Sequence, residues 1–445
     1  MRCSGCPNAS PVDTGRGHGP THPQPIAENA MRHAALLAAA ALALAASAAA
    51  QAATTVLTVT SFPSFDESVK IAIPAYQKLH PEIEIKLTSL PYADHHTAMS
   101  AALATNANLP DVMALEISYL GRFAESGGLD DLSKPPYNGK PLQPQFHAFA
   151  WSQSFDSTGA LVALPADVGP GALFYRKDIL DKAGVSIEQM TQSWESFIES
   201  GKVIREKTGA YTLTGAADIF NTYIRSNLKA GEGVYFAKGG QSLLSTPRFT
   251  KAFELALAAR KAGIDAKINP WSPEWREAFK RESLATQMMG AWLAGHLADW
   301  LNPEGAGKWR ASQLPGGAFA SWGGSFYAIP KASQHKKEAW DFIRFMSTNR
   351  EQQLASFRKM GAYPAIPSAQ EKSFLEEPIP FLGGQPARLL WAESARRIPS
   401  IPVNKFDPVA NELVSAALDE VLEGRKPVAQ ALADADAALK RRVRR

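Results

Sequence analysis

Between residues 54 and 115 the hydrophobic period switches back and forth, and that alternation restricts the chain to one class of sheet. Residues 54–61 (TTVLTVTS) are β-branched and apolar, as a strand requires. Residues 66–79 put Val69, Ala72, Ile73 and Tyr76 on one helical side, with Pro74 expected to kink it. Residues 82–90 alternate Ile83, Ile85 and Leu87 at the period of a strand. Residues 95–104 read as a helix, and 110–115 (PDVMAL) as a buried strand. A strand–helix–strand–helix–strand series closes into a parallel sheet with helices on its faces.

Beyond this unit the pattern is more helical. A short strand is expected at 172–175 and helices at 177–183, 194–207 and 336–346, the last presenting Ala339, Phe342, Ile343 and Met346 on one face. Gly184 ends the first of these. Asp407 followed by Pro408 reads as a cap and first-turn proline, opening a helix that runs to Gly424, and a last helix covers 428–442. No repeat and no long linker divides the 445 residues. That length exceeds one ordinary core, so two or three domains are expected, joined by short crossings.

The first 53 residues do not belong to the fold. Residues 1–30 are an upstream extension without apolar period. Met31-Arg32-His33 then precedes an apolar run over 34–46 and the small residues Ala48-Ala49-Ala50, the three parts of a secretory signal. The only cysteines, Cys3 and Cys6, lie upstream of it, so the exported chain has no disulfide, no cysteine nucleophile and no cysteine for a lipid anchor. The expected product is soluble and periplasmic.

Several chemistries lack their signatures. There is no G-x-x-x-x-G-K-[ST] loop, G-x-S-x-G elbow or H-E-x-x-H helix. Asp94-His95-His96 has no spaced partner for a metal, and no cofactor is expected. Net charge is +4, and five cations crowd the last six positions (Lys440, Arg441, Arg442, Arg444, Arg445). They suit a helix C-terminus and leave a nearly neutral body, which argues against nucleic acid. Ten tryptophans are many, and Trp151, Trp292, Trp322 and Trp391 sit in loop-like contexts. Indole faces take the C–H faces of sugar rings, while carboxylates accept from their hydroxyls. Gly169-Pro170-Gly171 and Gly323-Gly324 admit a close backbone approach.

Six stretches, in order, resemble extracellular solute-binding proteins of family 1, the maltodextrin-binding-protein-like receptors of sugar ABC importers. They are Leu109-Pro110-Asp111-Val112 with Leu120 to Leu129, Leu164 to Asp178, Gln192-Ser193-Trp194-Glu195, Gln287 to Trp292, Glu338 to Ile343, and Gly424 to Leu432. Arg176 stands where the family usually has Asn, and Ala429-Gln430 where it has an acid. The resemblance implies an α/β, two-lobed periplasmic-binding-protein fold, each lobe a mainly parallel sheet flanked by helices, with a hinge between. Lobe one would take 54–165 plus 309–350, and lobe two 166–308 plus 351–445. It also implies a receptor, not an enzyme. A sugar would sit in the cleft, and a membrane permease with its ATPase would read the closed state. The receptor would act as a monomer.

Ligands of such sheets lie beyond the carboxyl ends of strands. That rule selects Ser61, Phe62, Glu116, Tyr119, Asp167, Asn221, Tyr223, Trp292, Gly324, Ser325, Trp391 and Arg397 as ligand-binding residues. Glu116 and Asp167 are expected to face each other across the cleft. Two alternatives stay open: a secreted glycoside hydrolase with Glu116 and Asp167 as its acids, or the same receptor for a phosphorylated polyol or a polyamine. Export itself is testable: sequencing the protein from a periplasmic extract should give a first residue between Ala49 and Thr54, and an intact Met1 or Met31 would refute cleavage.

Overall fold

The computed structural model describes residues 54–229 and 231–443. The expected leader, with Cys3 and Cys6, lies outside them.

Three strands form the parallel unit: β1 (Thr55–Ser61), β2 (Ile83–Ser89) and β3 (Val112–Glu116). β1 is central, pairing with β2 from Thr55↔Ile83 to Ser61↔Ser89 and with β3 at Val59↔Val112. The crossovers are α1 (Phe65–Leu79), which continues through Pro74, and α2 (Tyr92–Thr105), which stops at Asn106 in the left-handed region. After β3 comes the short helix α3 (Ile117–Ala124).

The expected strand at 172–175 is the far end of something longer. β4 (Leu164–Arg176) has 13 residues and serves two sheets. Its first part pairs antiparallel with β7 (Ser321–Ala328), which in turn pairs antiparallel with β3. Its last part pairs antiparallel with β5 (Thr286–Gly290) and β6 (Trp309–Ser312). The short β8 (Tyr363–Pro364) adds to β4 at Asp167 and Val168. β6 begins at the residue where the sequence division returns to lobe one, yet its partner is the β4 segment Leu173 to Arg176. Beyond β5, parallel bridges Tyr211↔Leu284 and Leu213↔Asp265 extend the second sheet.

One large core runs through both sheets, joining Leu57 and Val112 of the first to Phe174 and Met289 of the second, and smaller cores flank it. Met113, Leu115, Leu120, Phe123 and Phe326 close one side of the first sheet. Leu173, Phe197, Leu213, Ile264 and Met288 fill the second. The helices Asp407–Leu422 and Val428–Val443 pack with Phe220, Phe249 and Phe253. Asp407 is not a cap: it is the first helical residue, and its Oδ2 accepts from the Asn404 amide at 2.8 Å. The segment entering that helix also meets the first sheet's helix α3, where a Cβ on Gly121 would stand 3.1 Å from the Asn404 carbonyl oxygen.

The glycines flanking Pro170 are needed for approach. Trp322 of β7 lies so close that a Cβ at Gly169 would run into its carbonyl oxygen, and one at Gly171 would stand 2.7 Å from its ring. Backbone cannot rotate out of such a clash. Gly169→Ala should therefore cost about 3 kcal/mol, the upper range of overpacking, read as a lowered midpoint in urea denaturation.

Candidate functional site

The end of β3 sets one side of the site. Glu116 is the N-cap of α3, and its Oε2 accepts from the Ser118 amide at 2.8 Å and from the Tyr92 hydroxyl at 2.9 Å. Its own amide donates to His96 Nε2 at 3.1 Å, so the other His96 nitrogen carries the proton and donates to the Tyr92 carbonyl at 2.7 Å. His95 Nε2 donates to Ala114 O at 2.7 Å. Burial holds both imidazoles neutral, His96 down at about 4. The Asp94-His95-His96 stretch thus pins α2 to β3 through backbone groups. Phe62, following the buried Ser61, packs on Tyr92 and His96, with ring centres 5.5 and 5.3 Å away, and Tyr119 stacks on His96 at 4.0 Å.

The crossing strands supply the floor. Ser325 of β7 pairs with Glu116 on one edge and Asp167 on the other. Directly paired residues in antiparallel strands project to the same face, so Glu116, Ser325 and Asp167 form one row. The expectation that the two acids oppose each other across the cleft is therefore corrected: they rise from one sheet. Asp167 Oδ1 accepts from the Ser325 amide at 2.5 Å. Among the described residues, no donor bonds Glu116 Oε1, while the Ser325 side chain joins its amide in lowering the cost of the Asp167 anion.

Trp292 follows β5 and comes to the same place. Its Nε1 donates to the Trp322 carbonyl at 2.9 Å. Next to it Gly323 and Gly324 carry φ of 74° and 135°, where a side chain is strained. A Cβ at Gly323 would lie 3.6 Å from Glu116 Oε1 and 3.7 Å from Trp292 Nε1, so carboxylate and indole converge on one glycine.

The remaining sequence choices divide. Asn221 sits on the helix Ala217–Ser226, one turn before Arg225 on the same face. Tyr223 of that helix turns to Trp194 instead, ring centres 6.2 Å apart, at the edge of the second core. Trp391 is 3% exposed and packs on Phe174 beneath β4, out of a ligand's reach. Arg397 is exposed, pairs with Glu393 at 3.3 Å and lies over Phe319. The structure does not bring these three to the row of Glu116 and Asp167.

Other residues join the site without having been chosen. Trp271, 54% exposed and at φ 70°, stacks on Trp292 with centroids 5.7 Å apart. Arg225 lies 6.0 Å from the Trp322 ring; among the described residues no carboxylate stands within 4 Å of it, although its charge reaches Glu116. Its signal was spacing from Asn221. Asp218, in the first turn of the same helix, touches Gln287, whose Oε1 accepts from Trp275 Nε1 at 3.0 Å. Desolvation raises all three acids: Glu116 upward, Asp167 to about 6 and Asp218 to about 7.

The sequence profile of the bacterial extracellular solute-binding protein family matches residues 72–379. The chain belongs to this family. The solute-binding protein is 23% identical over 365 residues to an arabinooligosaccharide-binding protein of Halalkalibacterium halodurans, covering 79% of this chain and 81% of that one. It is 26% identical over 375 residues to a lactose-binding protein of Rhizobium radiobacter, covering 80% and 84%. A crystal structure of an extracellular solute-binding protein of family 1 superposes with a TM-score of 0.77 at 23% identity, over 86% of this chain and all (100%) of the other. The sugar-binding protein MalE of Xanthomonas citri superposes at 0.72 with 22% identity, over 87% and 98%. The two-lobed α/β periplasmic-binding-protein fold expected from the sequence is the fold these neighbours share. Among the described residues of the solute-binding protein, no helix is long and apolar enough to cross a membrane.

Asp167 gives the solute-binding protein a pH signature. Its carboxyl holds a proton to about pH 6 when folded, against 3.8 for the ordinary group. The folded state binds the extra proton in that window, so stability falls as pH rises from about 4 to about 6 and stays lower above it. Asp167→Asn should be more stable than wild type at pH 8 by about 1–3 kcal/mol, and the gap should close near pH 4. Urea denaturation of both proteins at the two pH values measures it; a gap independent of pH would refute the assignment.

Proposed function

We propose that this solute-binding protein is the sugar receptor of an ABC importer, holding a mono- or oligosaccharide in the cleft and delivering it to the membrane permease by hinge closure, without chemistry on the ligand. The observation that carries the reading is the row Glu116–Ser325–Asp167 beside Trp292. It offers a carboxylate oxygen without a donor beside an indole, the pairing of side chains that suits a ring with hydroxyls on its rim and C–H bonds on its face. The named ligands of the relatives, arabinooligosaccharides and lactose, are of that class.

The lobes would divide near 165 and 350, with β4, β7 and the segment before β8 as crossings and β6 moving with the second sheet. Closure would bring Asn221 and Arg225 against Glu116 and Phe62, so a ligand touching both halves stabilises the closed form. A permease and its separate ATPase would read that form in the periplasm. The hydrolase alternative is disfavoured by the relatives, which are named as binding proteins for arabinooligosaccharides and lactose.

Calorimetry against a sugar panel that includes arabinooligosaccharides and lactose tests the reading. Trp292→Ala should weaken the binding sugar by about 1–3 kcal/mol. Glu116→Ala and Asp167→Ala should each lower affinity about tenfold or more, since each leaves ligand hydroxyls unpaired in a desolvated site. Saturating ligand should compact the protein in small-angle scattering. A panel without a binder would end the sugar reading; binding without compaction would end the hinge.

A further inference from the structure

The ladder between β4 and β8 stops one rung early. Asp167 pairs with Pro364 and Val168 with Tyr363, so the next pair in that register is Ala166 with Ala365. In place of a direct bond between them, the Ala365 amide donates to Gln353 Oε1 at 2.9 Å, and Gln353 Nε2 donates to the Ala166 carbonyl at 2.7 Å. The side-chain amide is inserted as the missing rung. The other edge of β4 is irregular at the same residue: the register with β7 passes from Pro165↔Phe326 to Asp167↔Ser325 and leaves Ala166 out. A buried carbonyl without a partner is costly, and Ala166 is buried. The remaining Gln353 N–H goes to the Met346 carbonyl at 2.7 Å, in the last turn of the helix Lys336–Thr348, where carbonyls lack partners within the helix. One acceptor and two donors thus meet one N–H and two C=O groups, the inventory of a primary amide. Gln353 itself is buried, on the helix Arg350–Met360. Its neighbour Gln352 ties that helix to α1, donating to the Ser68 carbonyl at 3.0 Å.

We propose that Gln353 is a positioning residue for the site: by bridging Ala166 and Ala365 it holds the irregularity in β4 that places the Asp167 carboxylate in the row with Glu116. This role rests on the reading of Asp167 as a ligand-binding acid and names what aims it. Asp167 is the residue next to the bridged carbonyl, and its own Oδ1 takes the Ser325 amide. A one-residue change of register turns a side chain to the opposite face of the sheet. If β4 relaxed at Ala166, the Asp167 carboxylate would leave Ser325 and the row. Gln353 does not touch the row itself. It acts through main chain, joining β4 to the stretch that follows β8.

The test is a double-mutant cycle between positions 353 and 167 in the full chain, read with and without ligand. Without ligand, urea denaturation at pH 8 gives the stability gap between wild type and Asp167→Asn. In the Gln353→Met background that gap should shrink by about half or more, because a displaced carboxylate regains water. The titratable groups facing Asp167 are Glu116 in the row and Tyr327 of β7, and both are the same in every protein of the cycle. With lactose and arabinotriose as calorimetric probes, Gln353→Met should lower affinity about tenfold, and adding it to Asp167→Ala should cost less than about threefold more. A gap unchanged by Gln353→Met, or affinity losses that multiply, would make Gln353 a structural amide only and overturn the proposal. If neither probe binds, it is the sugar reading that fails, and the urea cycle alone decides the positioning role. Should Gln353→Met not fold, Gln353→Asn, which keeps the amide but is one methylene short, takes its place in both arms.

Discussion

One strand has to satisfy two sheets at once. At Asp167, Val168 and Leu173 to Tyr175 the β4 backbone is committed on both edges, to β7 and β8 in its first part and to β5 and β6 in its last. Such a strand has almost no freedom to shift, since any slip would unpair groups that have no other partner. Two register irregularities, between Pro165 and Asp167 and between Val168 and Pro170, are the places where it changes course. Asp167 stands between them. The position of its carboxylate relative to Glu116 is therefore set by hydrogen-bond register rather than by side-chain packing, and both acids inherit the rigidity of the crossing.

That rigidity holds an electrostatically unfavourable arrangement. Glu116, Asp167 and Asp218 are all disfavoured as anions by desolvation, and hydrogen bonds from Ser118, Tyr92, Ser325 and Gln287 offset only part of the cost. A fold selected for stability alone would place a cation within contact of such groups. Here Arg225 influences Glu116 from beyond ion-pair distance. An unpaired acceptor and an unpaired donor around one space are the mark of a site whose missing partners come from outside. The neutral histidines follow the same logic: His95 and His96 bond to backbone and leave the carboxylates uncompensated.

Much of this was legible in the sequence, and the exceptions share a cause. Strand and helix limits in the first unit fell within a few residues, because alternation and helical spacing are local properties. Phe62, Glu116 and Asp167 lie together in the structure, and the carboxyl-end rule selects them because it needs only the strand's direction. Tyr223, Trp391 and Arg397 are not gathered with them, because they ride on helices, whose facing is decided by partners far away in the chain. Trp391 meets Phe174 from more than two hundred residues off. Trp271 was hidden differently: its left-handed backbone in the stretch Asn269-Pro270-Trp271-Ser272-Pro273 has no signature in a residue other than glycine. The four residues of β6 were too short to show any period.

The meeting of Gly121 with the Asn404 backbone is a one-sided constraint. It resists approach and does nothing against separation, because van der Waals contact has a steep wall on one side only. Both partners are main chain, so no rotamer can yield to let α3 come nearer. The contact works as a stop: it fixes how near α3 and the segment before the helix Asp407–Leu422 can come, and a bulkier residue at 121 would push those two segments apart.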